Sequence, residues 1–372
     1  MSRVSGAVLG AAVCALVFVG HAEGAAFGEA CREKPLQEKT PCYQSRLEEI
    51  LKTQGTEQAL TALEQLAAQD PDVLRDAHPY VHQLGKLSFS HYQDFSTAFS
   101  HCRDTFWSGC YHGVLEGYLS SLPQVELRAI ATLCDKHIDA RQSWFLKYQC
   151  VHGLGHGLTL YFQYDVLRAL AFCGALPTDW DRESCYGGVF MENIVAFQKP
   201  HSGHHPGPTG FLNPQDPLYP CNALATKYQG ACYLMQTSAI LTFNGYDFAQ
   251  AFRACDQVPR EFSPTCYQSL GRDISGFTLR DAKRVIALCG LGSGDSIRHC
   301  LVGAVKDVIL THADPGRGVA FCRLLDGRYK KDCYASVGEL LLSLYPDQER
   351  REQVCTGVEK GYIAVCKVSA RS

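Results

Sequence analysis

Three pairs of metal-ligating residue types stand four positions apart in the first half of this 372-residue chain: His78 and His82, His112 and Glu116, His152 and His156. A four-residue step places two side chains on one face of a helix, one turn apart. Three such helices, stacked at the usual ~8–10 Å, could bring the pairs to one pocket. Imidazole with carboxylate suits zinc, iron or copper, and such a pocket could activate a bound water or dioxygen. Glu192 stands beside Met191, which holds the slot of His156 in the next sequence unit. The candidate ligand set is therefore His82, His112, Glu116, His152, His156 and Glu192. The alternative for each histidine is a hydrogen-bonded structural residue, and for His78 a helix start ahead of Pro79.

Glycines crowd the same stretches. The run His152-Gly153-Leu154-Gly155-His156-Gly157 places three glycines where a helix is expected. Each costs roughly 0.8–1 kcal/mol against alanine in a helix interior. Tight helix packing or room for a ligand must offset that cost. His112-Gly113 and Gly187-Gly188 repeat the theme.

The elements that must position these residues are marked by cysteines. Six pairs are each eleven apart: Cys31 and Cys42, Cys221 and Cys232, Cys255 and Cys266, Cys289 and Cys300, Cys322 and Cys333, Cys355 and Cys366. Three more differ: Cys102 and Cys110 are eight apart, Cys134 and Cys150 sixteen, Cys173 and Cys185 twelve. Recurrence of one short spacing in unit after unit favours pairing between sequence neighbours. A loop of that size, closed by a disulfide, contributes on the order of 3 kcal/mol in the chain-entropy model. Zinc is a poor alternative for these cysteines, since structural sites favour two to four intervening residues. No CxxCH stands in the chain for covalent haem attachment.

Eight positions before the first cysteine of a pair stand Asp94, Asp165, Asp247, Asp281, Asp314 and Asp347, with Glu126 and Asn213 in two other units. Asp and Asn cap helix N-termini by accepting first-turn N–H groups. Ala98, Ala169 and Ala251 follow at positions that admit a neighbouring helix. Tyr111, Tyr186, Tyr233, Tyr267 and Tyr334 follow the second cysteines, and apolar residues then recur at helical spacing, as in Leu301, Val305, Val308 and Ile309. From Cys221 onward the first cysteines are 34, 34, 33 and 33 residues apart. Such a period marks a helical repeat array. The predicted fold is all-α: a solenoid of αα-hairpins, each stapled by a disulfide.

The stretches Ala254-Cys255-Asp256 … Cys266-Tyr267-Gln268-Ser269-Leu270-Gly271 and Phe321-Cys322 … Cys333-Tyr334-Ala335-Ser336-Val337-Gly338 give the chain its outside likeness. Over residues 221–366 it resembles the disulfide-bridged, tetratricopeptide-like cysteine-rich repeat proteins of bacteria. The spacing between helices is longer here, and the Gly-rich signature between repeats is missing. The resemblance implies architecture and carries no site or activity.

Two places break the period. Residues 45–68 read as a helix pair interrupted at Gly55, and 72–90 as one further helix, so 23–93 is expected to be an N-terminal capping region. The repeats then fill 94–372, interrupted at about 197–212 by a Pro/Gly/His-rich insertion. His201, His204 and His205 of that insertion are a candidate lid over the histidine site, or part of a solvated loop. The later units carry Gln268, Arg272, Asp273, Lys306, Asp307 and Glu339 at the matched positions, read as a solvated helix face or a charged face for a partner. His299 and His312 read as surface residues.

The chain is 46% hydrophobic and 20% charged, with net charge −3 and no basic stripe, which argues against nucleic-acid binding. Arg3 followed by the apolar stretch 4–20 reads as a signal peptide, residues 1–22, with cleavage after Ala22 or Gly24. A retained signal anchor is the alternative, and the only route to a membrane location. Cys14 lies within that stretch, leaving 18 cysteines, an even number that suits a secreted or periplasmic protein. No phosphate loop, nucleophile elbow or HExxH appears. Two function classes remain. One is a His/Glu site for a metal ion (Zn, Fe or Cu) or a small ligand, with catalysis left open. The other is a non-enzymatic scaffold that binds a protein or peptide on its curved face.

Overall fold

The computed structural model describes residues 30–138, 144–198 and 210–371. The signal segment, Cys14 and the histidines His201, His204 and His205 lie outside the described residues.

After helical residues 30–32 come α1 (Leu36–Gln54), α2 (Thr56–Gln69), α3 (Pro71–Arg75) and α4 (Ala77–Tyr92). Gly55, at φ +90°, makes the expected break between α1 and α2. The single helix expected over 72–90 is two, because Asp70 caps α3 ahead of Pro71 and the chain restarts at Ala77. Short and long helices then alternate: α5 (Phe95–Ser100) and α6 (Gly109–Ser121), α7 (Leu127–His137) and α8 (Trp144–Tyr161), α9 (Val166–Cys173) and α10 (Asp179–Gln198). After the insertion come α11 (Thr226–Phe243), α12 (Phe248–Cys255) and α13 (Ser263–Phe277), α14 (Ala282–Cys289) and α15 (Asp295–Leu310). The last units are α16 (Pro315–Arg323) with α17 (Gly327–Leu344), and α18 (Gln348–Thr356) with α19 (Ile363–Ser369). The described residues contain no strand.

Disulfides join the cysteines as their spacing predicts. In the N-terminal half they link Cys31 to Cys42, Cys102 to Cys110, Cys134 to Cys150, and Cys173 to Cys185. In the C-terminal half they link Cys221 to Cys232, Cys255 to Cys266, Cys289 to Cys300, Cys322 to Cys333, and Cys355 to Cys366. Nine intrachain disulfides suit an oxidising, extracellular type of environment. Among the described residues no helix is long and apolar enough to cross a membrane.

The six aspartates cap as read: Asp94, Asp165, Asp247, Asp281, Asp314 and Asp347 each accept a first-turn backbone N–H. The other two positions differ. Glu126 makes no side-chain cap bond, its longer side chain being poorly suited to that turn. Asn213 accepts from Gln215 N in a turn, and the short helix expected before Cys221 is replaced by turns and a 3-10 segment, Cys221–Ala223. Ala98, Ala169 and Ala251 are fully buried, where neighbouring helices meet.

Long helices pack on one another in order, α4 on α6, α6 on α8, α8 on α10, and so on to α17 against α19. The row curls until α17 touches α8. A second closure joins the turn Phe106–Ser108 to α15: Phe106 N–H donates to Thr311 O at 3.0 Å, and Trp107 Nε1 donates to Asp307 Oδ1 at 3.0 Å. Asp307 is buried and also pairs with Arg280 at 3.2 Å, so it is no part of a solvated face. Glu339 is exposed, Lys306 and Gln268 are half-buried, and the three pair across neighbouring helices. His299 and His312 are half-buried, against the surface reading. Asp307→Ala leaves the Arg280 guanidinium without its carboxylate and is expected to cost about 3 kcal/mol. Denaturant unfolding of the oxidised chain reads this directly, and an unchanged midpoint would show that the closure adds nothing.

Candidate metal centre

Helices α4, α6, α8 and α10 deliver the predicted side chains to one place because their backbones cross very closely. A Cβ on Gly113 would stand 2.0 Å from His82 O, and one on Gly188 would stand 2.0 Å from His152 O. Only glycine permits those approaches. They put the imidazoles of His78, His82, His112, His152 and His156 in a chain of contacts, with neighbouring ring centroids 4.5–5.9 Å apart. The His112 and His156 rings stack at 5.1 Å. His112, Glu116, His152 and His156 are buried, while His82 keeps 13% of its side chain exposed.

Each imidazole is held from behind by an oxygen. His78 Nδ1 donates to Phe106 O at 2.7 Å, and His152 Nδ1 to Ser184 O at 3.1 Å. His82 Nδ1 meets Glu116 Oε1 at 2.6 Å, and His156 Nδ1 meets Glu192 Oε2 at 3.0 Å. His112 Nε2 meets Gln149 Oε1 at 2.9 Å. Since these oxygens accept, the facing nitrogen carries the hydrogen and the other nitrogen is left with a lone pair. Two of those other nitrogens, His112 Nδ1 and His156 Nε2, are buried with no hydrogen-bond partner among the described residues. His78 Nε2 and His82 Nε2 stand 3.0 Å apart.

Burial pushes His78, His112 and His152 well below the ordinary imidazole range, helped by their neighbouring imidazoles. Burial, with His82 beside it, pushes His156 down to about 3. Burial works against the Glu116 carboxylate, but the Lys86 ammonium at 2.6 Å and His82 outweigh it and hold the group well below its usual range. His78, His112, His152 and His156 are thus neutral imidazoles beside a carboxylate that stays ionised.

Donor atoms of three sets lie within 4.8 Å of one another: His112 with His152 and His156; His78 with His82 and His112; His82 with Glu116 and His156. Five of the six predicted ligands therefore come together. Glu192 stands behind His156, and Tyr164 OH reaches its other oxygen at 3.5 Å. His78 joins the cluster, although it is not in the candidate set. The four-residue step read for His78 and His82 extends to Lys86 on the same helix face. Gln149 and the carbonyls of Phe106 and Ser184 carried no such signal. Tyr148 lies over His152, ring centroids 5.4 Å apart, and Trp180 and Trp144 extend this aromatic group outward to solvent.

The chain matches no family model, no curated protein and no solved structure.

Proposed function

We propose that this protein binds a divalent transition-metal ion in the centre formed by His112, His152 and His156, with His82, His78 and Glu116 as further ligands. The observation that carries the reading is the pair of buried lone-pair nitrogens, His112 Nδ1 and His156 Nε2, that nothing among the described residues satisfies. An unpaired buried acceptor costs about 1–3 kcal/mol, and a bound cation would satisfy it. Metal-bound histidines nearly always give their other N–H to a carboxylate or carbonyl. All five imidazoles here do so, or give it to an amide oxygen. Every cysteine in the described residues is in a disulfide, so no thiolate competes and the donor set is imidazole and carboxylate. That set suits zinc, copper or iron.

Three histidines with a carboxylate alongside also suit hydrolytic or oxygen chemistry. Glu116 would add a fixed negative charge there, held by His82 and by the partly exposed Lys86, each at 2.6 Å. Elemental analysis of the purified chain, followed by zinc and cobalt titration of the metal-free form, tests the reading. At least one equivalent of metal is expected, lost in the His112→Ala/His152→Ala variant. Metal-free protein that takes up no ion, with stability unchanged in that variant, would sink the proposal.

A further inference from the structure

Away from the histidines, the C-terminal half holds a second feature with unspent polar capacity. A cavity of about 200 Å³ opens beside α14, α15 and α16. Val308, Phe321 and Leu324 give it an apolar wall, and Arg280, His312 and Arg317 line it on the polar side. Leu324 is 59% exposed.

The charges around it are unevenly matched. Arg280 donates Nε to Asp307 at 3.2 Å, but its Nη1 is buried with no hydrogen-bond partner among the described residues. Asp307 is shared, since Trp107 and Thr311 also donate to it. Arg317 has only a 3.6 Å pairing with Asp314, both half-exposed, which holds it weakly. His312 is pushed down to about 4, first by burial and then by Arg317 and Arg280, so both guanidinium groups act on the same spot. A buried guanidinium N–H without an oxygen is costly. An arginine fork matches a carboxylate in geometry as well as charge.

We propose that this cavity is a binding site for a small amphipathic anion, a carboxylate on a short apolar chain. Its head would lie between Arg280 and Arg317, with an N–H of the neutral His312 ring as a further donor. Its tail would lie on Val308, Phe321 and Leu324. An inorganic anion lacks the tail, and an alcohol lacks the head. The site is separate from the histidine cluster, so it stands or falls independently of the metal assignment.

Calorimetric titration of the full oxidised chain tests it, with hexanoate as the probe and hexanol and inorganic phosphate as comparison ligands. Hexanoate is expected to bind at least about tenfold tighter than either. Arg317→Gln removes an exposed side chain outside the buried network. It should weaken hexanoate by about tenfold while leaving the unfolding temperature unchanged. Leu324→Ser should weaken hexanoate and leave phosphate as it was. Absence of hexanoate binding at millimolar concentration, or equal affinity in the Arg317→Gln variant, overturns the proposal. Equal affinity for phosphate and hexanoate overturns the assignment to an amphipathic ligand.

Discussion

Gly188→Ala is expected to destabilise the protein by roughly 2–3 kcal/mol and to lower metal affinity by at least about tenfold, although no ligand is touched. The added Cβ would meet His152 O at 2.0 Å. A backbone carbonyl inside a helix cannot swing aside as a side-chain tip can, so α8 and α10 must move apart. Both bonds that fix the α8 imidazoles cross this interface: His152 to Ser184 O at 3.1 Å and His156 to Glu192 at 3.0 Å. Opening the crossing lengthens both and lets the two rings turn. Gly276→Ala is the matched control, since a Cβ there meets nothing within 4 Å. That change should be neutral or stabilising by up to about 1 kcal/mol. Denaturant unfolding and metal competition titrations on both variants decide the matter. Equal stability of the two would show that the close crossing does not hold the site.

The glycine result separates what the residues disclosed from what they did not. Three glycines around His156 read equally well as close packing or as ligand space, and the structure answers with packing. The same device recurs where there are no histidines: a Cβ on Gly303 would stand 1.9 Å from Gln268 O, and one on Gly271 1.9 Å from Cys300 O. The glycines belong to the repeat, and the histidines use a proximity that the repeat already provides. That is why the register was legible. Positions counted from the second cysteine of each unit, such as His112 two past Cys110 and His152 two past Cys150, recur on the same face of successive long helices.

What the period does not encode was hidden. The contact from Trp107 to Asp307 spans 200 residues and depends on the accumulated curl of every unit between. No local pattern records it, and Asp307 consequently reads as one more charge on a solvated helix. Phe106 shows how far this matters for the site. Its N–H is tied to Thr311 O in the C-terminal half, and its C=O accepts from His78 at 2.7 Å. One peptide unit therefore joins the long-range closure to an imidazole of the cluster. Glu192 is placed by the same register. It lies one residue past the slot that matches His156, and from there its carboxylate reaches the back of the His156 ring.

Acid should unfold the metal-free protein well before it empties the folded site of metal. His78, His112 and His152 have folded pKa values well below the ordinary range, and His156 is pushed down to about 3. In the unfolded chain each would titrate near about 6.5. Below that pH the unfolded state binds more protons, so stability falls as pH falls. Each group contributes up to about 1.4 kcal/mol per pH unit until its folded pKa is reached. Glu116 acts in the same direction but at lower pH. Its depressed carboxylate contributes stability above the unfolded glutamate pKa, lost only as pH falls below it, so the imidazoles alone act at first. Metal affinity obeys a different balance, because it compares loaded and empty forms of the folded state. An exposed three-histidine site must shed protons to bind metal below about pH 6.5. His78, His112, His152 and His156 are already neutral and have none to shed. Affinity measured while the protein stays folded should therefore change less than about tenfold between roughly pH 7.5 and 5.5, while the denaturant midpoint of the metal-free form falls steeply. A hundredfold loss of affinity over that interval with the fold intact would mean that the imidazoles take up protons in place, contrary to the burial that defines this centre.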